Sequence, residues 1–238
     1  MENKKPHYNV IITTPGHSMN QLYVLSLVGT IKELEKRGIS WGYFSQYASN
    51  VVEARENTIL GGSNIPESHR INEPMFGSVT YDKIFMIDSD IEWHPNDFMK
   101  LYESEKEVIV GAYLMGTGDR TTLCEWSPEA FYEAPPHIDK QQILERTEPF
   151  VVSGSGLGFA CIKSGVFEKV TRPWFTPMVV EVPDKLGGFY MLSYSEDISF
   201  ILKMKDYGII TWCDPTVRVN HIKTVKVGWG QKSSSHLY

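Results

Sequence analysis

Two aspartates one residue apart, Asp88 and Asp90, directly follow an apolar run in the segment YDKIFMIDSDIEW. Alternate side chains of an extended chain point to the same side, so the two carboxylates share a face. One or two carboxylates, completed by substrate phosphates, are the usual ligands of Mg²⁺ or Mn²⁺ in proteins. Two solvated aspartates in a turn are the alternative interpretation, because Asp often stabilises turns through its own side chain.

A second acidic pair, Glu196 and Asp197, follows Ser195 at the start of a predicted helix, and Asn220-His221 ends a later apolar segment. Each has a structural explanation, because acids stabilise a helix N-terminus and a single histidine is commonly structural. All of these groups, however, lie at the ends of core segments. Such ends can converge on one site, so the acids and the histidine are candidate functional residues.

Alternating apolar runs and helical patterns must position these groups. The spacing of Leu25, Val28, Ile31 and Leu34 indicates a helix, with Gly38 at its C-cap position. In the first half, strands are predicted at Tyr8–Thr14, Ser40–Phe44, Lys83–Ile87 and Val108–Tyr113, with helices at Gln21–Arg37, from a capping box at Asn50 through Leu60, and after His94. The order predicts an α/β chain with a mainly parallel sheet, whose ligand edge holds Thr14, Asp88 and Asp90.

The second half of the chain is patterned less regularly. Residues 116–149 are polar and rich in Pro and Glu, which predicts an excursion over the surface. Beyond them, strands are predicted at Phe150–Ser153, Phe159–Lys163, Ile209–Cys213 and Val217–His221, with a short helix near Val166 and a longer one at Glu196–Tyr207.

Composition limits the classes of function. The 238 residues favour one compact domain, and a net charge of -6 argues against nucleic acid as a partner. Three widely spaced cysteines, Cys124, Cys161 and Cys213, indicate neither a disulfide framework nor a zinc site. The sequence contains no apolar run of about 18 residues and no signal-peptide pattern, so we expect a soluble, cytoplasmic protein without a membrane span.

Six segments together resemble the GT-A glycosyltransferases, in particular the small enzymes related to the large family-two group. The matching segments, which run over nearly the whole chain, are Thr13-Thr14-Pro15, Ala54-Arg55-Glu56-Asn57, Asp88-Ser89-Asp90, Gly154-Ser155-Gly156-Leu157-Gly158-Phe159, Ser195-Glu196-Asp197-Ile198-Ser199-Phe200 and Val219-Asn220-His221. The resemblance implies a GT-A, Rossmann-like fold and transfer of a sugar from a nucleoside-diphosphate sugar, with UDP-sugar favoured, to an unknown acceptor.

The same resemblance implies a role for each matching residue. Asp90 and His221 would be ligands of Mn²⁺ or Mg²⁺, with Asp88 near the metal, a metal-bound water or the ribose. The remaining donor contacts would come from Thr14, Pro15, Arg55 and Ser89. Gly154, Ser155 and Gly156, and the run as far as Gly158, would lie close to the donor sugar or the acceptor, where a side chain would block approach.

Glu196 and Asp197 resemble the acidic pair that faces the acceptor hydroxyl. In inverting members such a carboxylate takes the proton of that hydroxyl, whereas a retaining enzyme would use the pair only to hold substrate. A helix N-terminus favours the ionised form of an acid, so we expect it to lower the basicity of both residues.

The resemblance divides the chain into a nucleotide-binding half at residues 1–115, an acceptor and catalytic half at 150–222, and a tail at 223–238. The tail carries Lys226 and Trp229, which predicts a lid over the diphosphate and the substrate. A disordered terminus is the alternative. The oligomeric state is not readable from the sequence.

Three other functions remain to be distinguished. An aspartyl phosphatase also uses Asp-x-Asp, but it carries the acids on its first strand. A nucleotidyltransferase that makes sugar nucleotides needs a glycine-rich loop after the first strand, where only Gly16 stands. The third alternative is a non-catalytic sugar-nucleotide-binding protein on the same fold, and the full set of acids together with His221 argues against it.

Overall fold

The computed structural model describes residues 4–62, 72–116, 118–125, 136–183 and 187–223. Within them the strands are β1 (His7–Pro15), β2 (Trp41–Gln46), β3 (Thr80–Ile87), β4 (Ile91–Glu92), β5 (Val108–Ala112), β6 (Arg120–Cys124), β7 (His137–Asp139), β8 (Phe150–Val151), β9 (Phe159–Lys163), β10 (Val179–Pro183), β11 (Phe189–Ser193), β12 (Thr211–Arg218) and β13 (Asn220–His221). The helices are α1 (Gln21–Lys36), α2 (Val51–Leu60), α3 (Pro95–Glu103), α4 (Lys140–Glu145), α5 (Val166–Lys169) and α6 (Glu196–Asp206), and Pro74–Gly77 forms a 3₁₀ turn.

A seven-stranded mixed sheet in the order β2-β1-β3-β9-β5-β12-β8 forms the centre of the described residues. β1 runs parallel to β2 and β3, and β5 runs parallel to β12. β9 lies antiparallel between β3 and β5, and β8 is antiparallel to β12. Five strands therefore point the same way, so the predicted mixed α/β sheet is confirmed and its strands come from both halves of the chain.

Core residues lie on both faces of the sheet, as the alternation of side chains along β1 and β3 requires. Ile11 and Ile84 belong to one buried cluster, and their neighbours Ile12 and Phe85 belong to the other. Because both faces are covered, the central parts of these strands, Val10–Ile12 of β1 and Ile84–Ile87 of β3, are apolar without interruption. Polar side chains begin where the strands leave the core.

α1 packs with a different face from the one its apolar spacing suggests. Leu25 and Val28 are 61% and 44% exposed, whereas Ser26 and Thr30 are buried. Trp93 explains this orientation, because its backbone N–H donates to Ser26 Oγ at 3.1 Å and its indole N–H donates to Thr30 Oγ1 at 2.8 Å. Buried polar groups need such partners, so the pairing with Trp93 allows Ser26 and Thr30 to face the core together with Tyr23 and Leu34.

The polar segment 116–149 is not only a surface excursion, and this expectation was wrong. β6 and β7 form an antiparallel pair, and α4 follows with a capping box between Asp139 and Gln142. Its hydrophobic residues Leu123, Ile138 and Ile143 are buried in the core. A second hairpin, β10 with β11, precedes α6 and was also not predicted.

The last predicted strands differ in their boundaries. β12 continues through Asp214 and Pro215 to Arg218 with an irregularity in its pairing to β5. β13 then leaves the main sheet and pairs with β4, where His221 lies opposite Ile91. This crossing carries the end of the described chain back to the segment after β3. Within the described ranges, no helix is both long and apolar enough to cross a membrane.

Candidate functional site

Pairing of β13 with β4 brings His221 to Asp90. Nε2 of His221 lies 3.1 Å from Oδ2 of Asp90, and Nζ of Lys223 donates to the same oxygen at 3.0 Å. Burial favours the neutral acid, but the hydrogen bonds from His221 and Lys223 outweigh it and lower the pKa of Asp90 to about 2. Asp90 is therefore an ionised carboxylate with two nitrogen groups in contact.

The other ring nitrogen of His221 fixes its tautomer. Nδ1 lies 3.0 Å from the carbonyl oxygen of Leu114, which only accepts hydrogen bonds, so Nδ1 carries a proton. Nε2, the atom that faces Asp90, donates to the carboxylate when it carries a proton and presents its lone pair to a metal when it does not. A backbone carbonyl commonly orients a metal-binding histidine in this way.

A buried arginine joins three acids from two further elements. Arg55 on α2 is 3% exposed, and its guanidinium donates to both oxygens of Asp88 at 3.0 and 3.2 Å. It also donates to Glu196 at 3.3 Å and to Asp197 at 3.2 Å, at the N-terminus of α6. Burial disfavours its charge, but Asp197, Asp88 and Glu196 outweigh that effect and raise the pKa of Arg55.

Asp197 occupies the most buried position among these acids. Its Oδ2 accepts from the backbone N–H of Leu157 at 3.1 Å, and its Oδ1 lies 3.0 Å from Arg55 Nε without accepting a hydrogen bond. Burial raises the pKa of Asp197 to about 7 against the opposing charge of Arg55, and the carboxylates of Asp88 and Glu196 add to the rise. The expected lowering of basicity by the helix terminus is wrong for Asp197, because desolvation and neighbouring carboxylates dominate.

These groups line one pocket of about 580 Å³ at the carboxyl edge of the sheet. Its volume falls within the range of sites that enclose small organic ligands. The predicted residues that line it are Pro15, Arg55, Asp88, Ser89, Asp90, Ser155, Gly156, Glu196, Asp197 and His221. The pocket therefore brings together most of the sequence-predicted residues.

Solved structures share this architecture at low sequence identity. A197 from STIV matches with a TM-score of 0.50 and 18% identity over 94% of this chain and 100% of that chain. GalNAc-T7, solved with UDP, GalNAc and Mn²⁺, matches with a TM-score of 0.51 and 11% identity over 95% of this chain. The chain has a GT-A fold. It spans 45% of the length of GalNAc-T7, and no protein-family model and no curated protein matches its sequence.

Two predicted site residues lie behind the pocket wall of this GT-A fold. Thr14 is fully buried, and its hydroxyl hydrogen-bonds to the hydroxyl of Tyr23. Gly154 is paired through its backbone with Cys124 and packs close to Ile198. Thr14 and Gly154 therefore support the wall, and the prediction that they contact a ligand is corrected. Ser155 lines the pocket, but its side chain is buried and its hydroxyl donates to the carbonyl of Gly156 at 2.7 Å.

The glycines at 156 and 158 have a structural reason different from the predicted contact with a sugar. A Cβ atom on Gly156 would lie 2.1 Å from the hydroxyl of Tyr113, and one on Gly158 would lie 2.7 Å from Asp88 Oδ2. The N–H of Gly158 donates to the Tyr113 hydroxyl at 3.1 Å. The segment is free of side chains at these positions because Tyr113 and Asp88 occupy that space.

Asp88 does not join Asp90 and His221 in a metal-binding cluster. Among the described residues, no group of three or more His, Cys, Asp or Glu side chains is placed to hold a metal. Both oxygens of Asp88 accept from Arg55, which explains its separation from the other two. The protein thus offers a pair, Asp90 and His221. Lys226 and Trp229 lie outside the described residues.

Several residues of the pocket were not predicted from the sequence. Tyr113, Thr122 and His137 line it, as do His17 and Tyr47, whose rings lie 5.2 Å apart at the β1–β2 end. Tyr113 follows β5 at the same edge as Asp88, so its position after a strand was a usable signal. Thr122 and His137 belong to the unpredicted β6–β7 pair and carried no such signal.

Proposed function

We propose that the protein is a metal-dependent glycosyltransferase that transfers a sugar from a nucleoside-diphosphate sugar, with UDP-sugar favoured, to an acceptor hydroxyl. The contact between Asp90 and His221 carries this proposal. Carboxylate oxygen and imidazole nitrogen together suit Mn²⁺ better than Mg²⁺, which prefers oxygen. Both side chains lie in the pocket that also holds a buried acid beside an arginine.

The residues present fit a divalent ion. Neighbouring ligand atoms of an octahedral ion at its usual distances are about 3 Å apart. Oδ2 of Asp90 and Nε2 of His221 are 3.1 Å apart, so the pair needs little rearrangement. Lys223 shares Asp90 and would turn to the diphosphate when an ion binds. The metal would neutralise the charge that the diphosphate gains as it leaves.

Asp197 is the proposed base of the reaction. Its Oδ1 has a free acceptor position, and its raised pKa makes it more basic than an exposed aspartate. The N–H of Leu157 and the guanidinium of Arg55 hold its other oxygen in place. Glu196, on the same arginine, is the second acid facing the pocket, and we assign it to substrate binding.

Donor turnover tests this function directly. The protein should consume UDP-sugars slowly with water as the acceptor when Mn²⁺ is present, and chelation of the metal should stop it. A sugar-nucleotide-binding protein on the same fold would bind the donor without consuming it. A nucleotidyltransferase would instead release or incorporate pyrophosphate, which a coupled assay detects. Either of these outcomes would replace the proposed reaction.

A further inference from the structure

Three buried side-chain oxygens of the described residues have no hydrogen-bond partner: Thr122 Oγ1, Asp197 Oδ1 and Thr211 Oγ1. Thr122 and Asp197 line the pocket, whereas Thr211 does not. An unpaired buried polar atom destabilises a protein, because it loses water without gaining a partner. A bound molecule that donates to Thr122 Oγ1 would remove this penalty there, and one that donates to Asp197 Oδ1 would add a hydrogen bond to an oxygen whose present contact is the ion pair with Arg55 Nε at 3.0 Å.

Thr122 and Asp197 both lie close to the Gly156-Leu157 segment. Asp197 Oδ2 accepts from the N–H of Leu157 at 3.1 Å. A Cβ atom on Gly156 would lie 3.3 Å from the Cβ atom of Thr122. The two side chains thus contact neighbouring residues, so one small molecule can reach both.

His137 adds a third polar group at this end of the pocket. Its Nδ1 lies 3.5 Å from Cys124 Sγ, and Cys124 is itself fully buried. None of the described residues hydrogen-bonds to the Nε2 atom of His137. The β6–β7 pair therefore contributes two polar residues, Thr122 and His137, to the lining of the pocket.

The charges nearby disfavour an anionic ligand at this end. Among the described residues that line the pocket, one arginine, Arg55, and one lysine, Lys223, carry a positive charge at all ordinary pH values. Arg55 is shared by three carboxylates, and Lys223 is paired with Asp90. A phosphate or carboxylate would meet Asp88, Glu196 and Asp197 without a spare cation, whereas neutral hydroxyls can pair with each orphaned atom.

We propose that the end of the pocket bounded by Thr122, His137 and Asp197 binds the acceptor, and that the acceptor is an uncharged carbohydrate with neighbouring hydroxyls. This inference rests on the proposed function, because it assigns the acceptor of that reaction. One hydroxyl gives its proton to Asp197 Oδ1 while its oxygen bonds to the anomeric carbon of the donor. The bond from that carbon to the diphosphate breaks, and the nucleoside diphosphate leaves with the electron pair. Thr122 and His137 hold the neighbouring hydroxyls.

The kinetic test uses methyl glucopyranoside and methyl galactopyranoside as acceptors of a UDP-sugar, with octanol and a short serine peptide for comparison. A glycoside should accelerate donor turnover, and the other two should not. Thr122→Val should raise the KM for that glycoside at least tenfold, since it removes one hydroxyl partner. Thr122→Ser, which keeps the hydroxyl, should have a KM for the glycoside close to that of the wild type. Thr211→Val is the matched control and should leave the KM unchanged.

A melting experiment tests whether the Thr122 hydroxyl lacks a hydrogen-bond partner, and it needs no activity assay. Replacing an unpaired buried hydroxyl by a methyl group removes its desolvation penalty, so Thr122→Val should raise the Tm of the ligand-free protein by about 2–4 °C. Thr211→Val should raise it similarly, because the same defect is removed outside the pocket. A lower Tm for Thr122→Val would show that its hydroxyl has a structural partner and would overturn the proposal.

An error in the carbohydrate acceptor and an error in the transferase function give different experimental results. If the wild-type protein binds UDP with Mn²⁺ but only octanol or the serine peptide accelerates donor turnover, the carbohydrate acceptor is wrong and the transferase stands. The same conclusion holds if a glycoside accelerates turnover equally in wild type and Thr122→Val. If UDP binding does not depend on metal and no donor is consumed, the proposed function itself fails.

Discussion

Oδ2 of Asp90 lies 3.1 Å from Nε2 of His221, although 131 positions separate the two residues in the chain. The contact depends on β13 leaving the main sheet to pair with β4, directly after the segment that ends β3. It also depends on the carbonyl of Leu114, which holds the opposite ring nitrogen. Two elements and one backbone group thus place a carboxylate and an imidazole in a position that suits a divalent metal.

His221→Ala should weaken Mn²⁺-dependent binding of UDP by about 10–100-fold or more, the loss that follows even from removal of a group orienting a metal ligand. Calorimetry at fixed Mn²⁺ measures the change. Asn220→Ala is the control, because the neighbouring side chain is exposed and hydrogen-bonds to Glu92 instead. A destabilised His221→Ala protein with normal Mn²⁺-dependent affinity would remove His221 from the site and leave it a structural residue.

Arg55→Ala should destabilise the protein by about 3–5 kcal/mol, because it leaves three largely buried carboxylates without their shared cation. Urea unfolding measures the loss. Arg37→Ala is matched to it, since Arg37 also contacts two acids, Glu33 and Glu103, but at an exposed position. We expect a far smaller effect there because water screens exposed pairs. Equal losses in the two variants would contradict the role assigned to burial.

Asp197→Asn should reduce sugar transfer by about 100–10,000-fold, the usual contribution of a positioned base, while UDP binding stays near normal. Donor turnover and calorimetry measure the two quantities separately. Glu196→Gln is the comparison, because Glu196 shares Arg55 but has no orphaned oxygen. If both variants keep most of their turnover, neither acid is the base, and a retaining mechanism becomes the better account.

The pH dependence follows from the raised pKa of Asp197. A base must be ionised, so kcat/KM should rise as the pH increases through about 7, and Asp197→Asn should lose this step.

The contribution of Asp197 to the free energy of unfolding should fall over the same pH range. A group whose pKa is raised on folding stabilises the protein below its unfolded pKa of about 3.9, and this contribution is lost as the pH rises through about 7. The Tm difference between wild type and Asp197→Asn at pH 5 and pH 8 checks the sign, and an unchanged difference would contradict it.

Sequence patterns predicted the parts of the fold that repeat a local rule. β1, α2 with its Asn50 cap and β3 followed from apolar runs and capping residues, and they place Arg55 and Asp88 near one edge. The orientation of α1 did not follow, because it depends on hydrogen bonds from Trp93, far away in sequence, to Ser26 and Thr30.

The site residues that follow a predicted strand or begin a predicted helix were found from the sequence, because their positions depend on local patterns. Asp90, Asp197 and His221 stand at the ends of predicted elements, where a sheet edge collects functional groups. Thr122 and His137 were not found, since they lie on a short polar strand pair whose pairing is set by tertiary contacts. The basicity of Asp197 was predicted with the wrong sign, because burial and neighbouring carboxylates are invisible in the local sequence.

Binding of UDP to the wild-type protein, measured by calorimetry with Mn²⁺ and again with excess chelator, shows whether Asp90 and His221 hold a metal that binds the nucleotide. We expect clear binding with Mn²⁺ and a large loss of affinity in chelator, because Asp90 and His221 would hold the ion that neutralises the charge of the diphosphate. Saturating ligand at about a hundred times its Kd should also stabilise the folded state by about 2.7 kcal/mol, which a melting curve reports independently. An affinity for UDP that is the same with metal and with chelator would contradict the metal role of Asp90 and His221 and the transferase built on it.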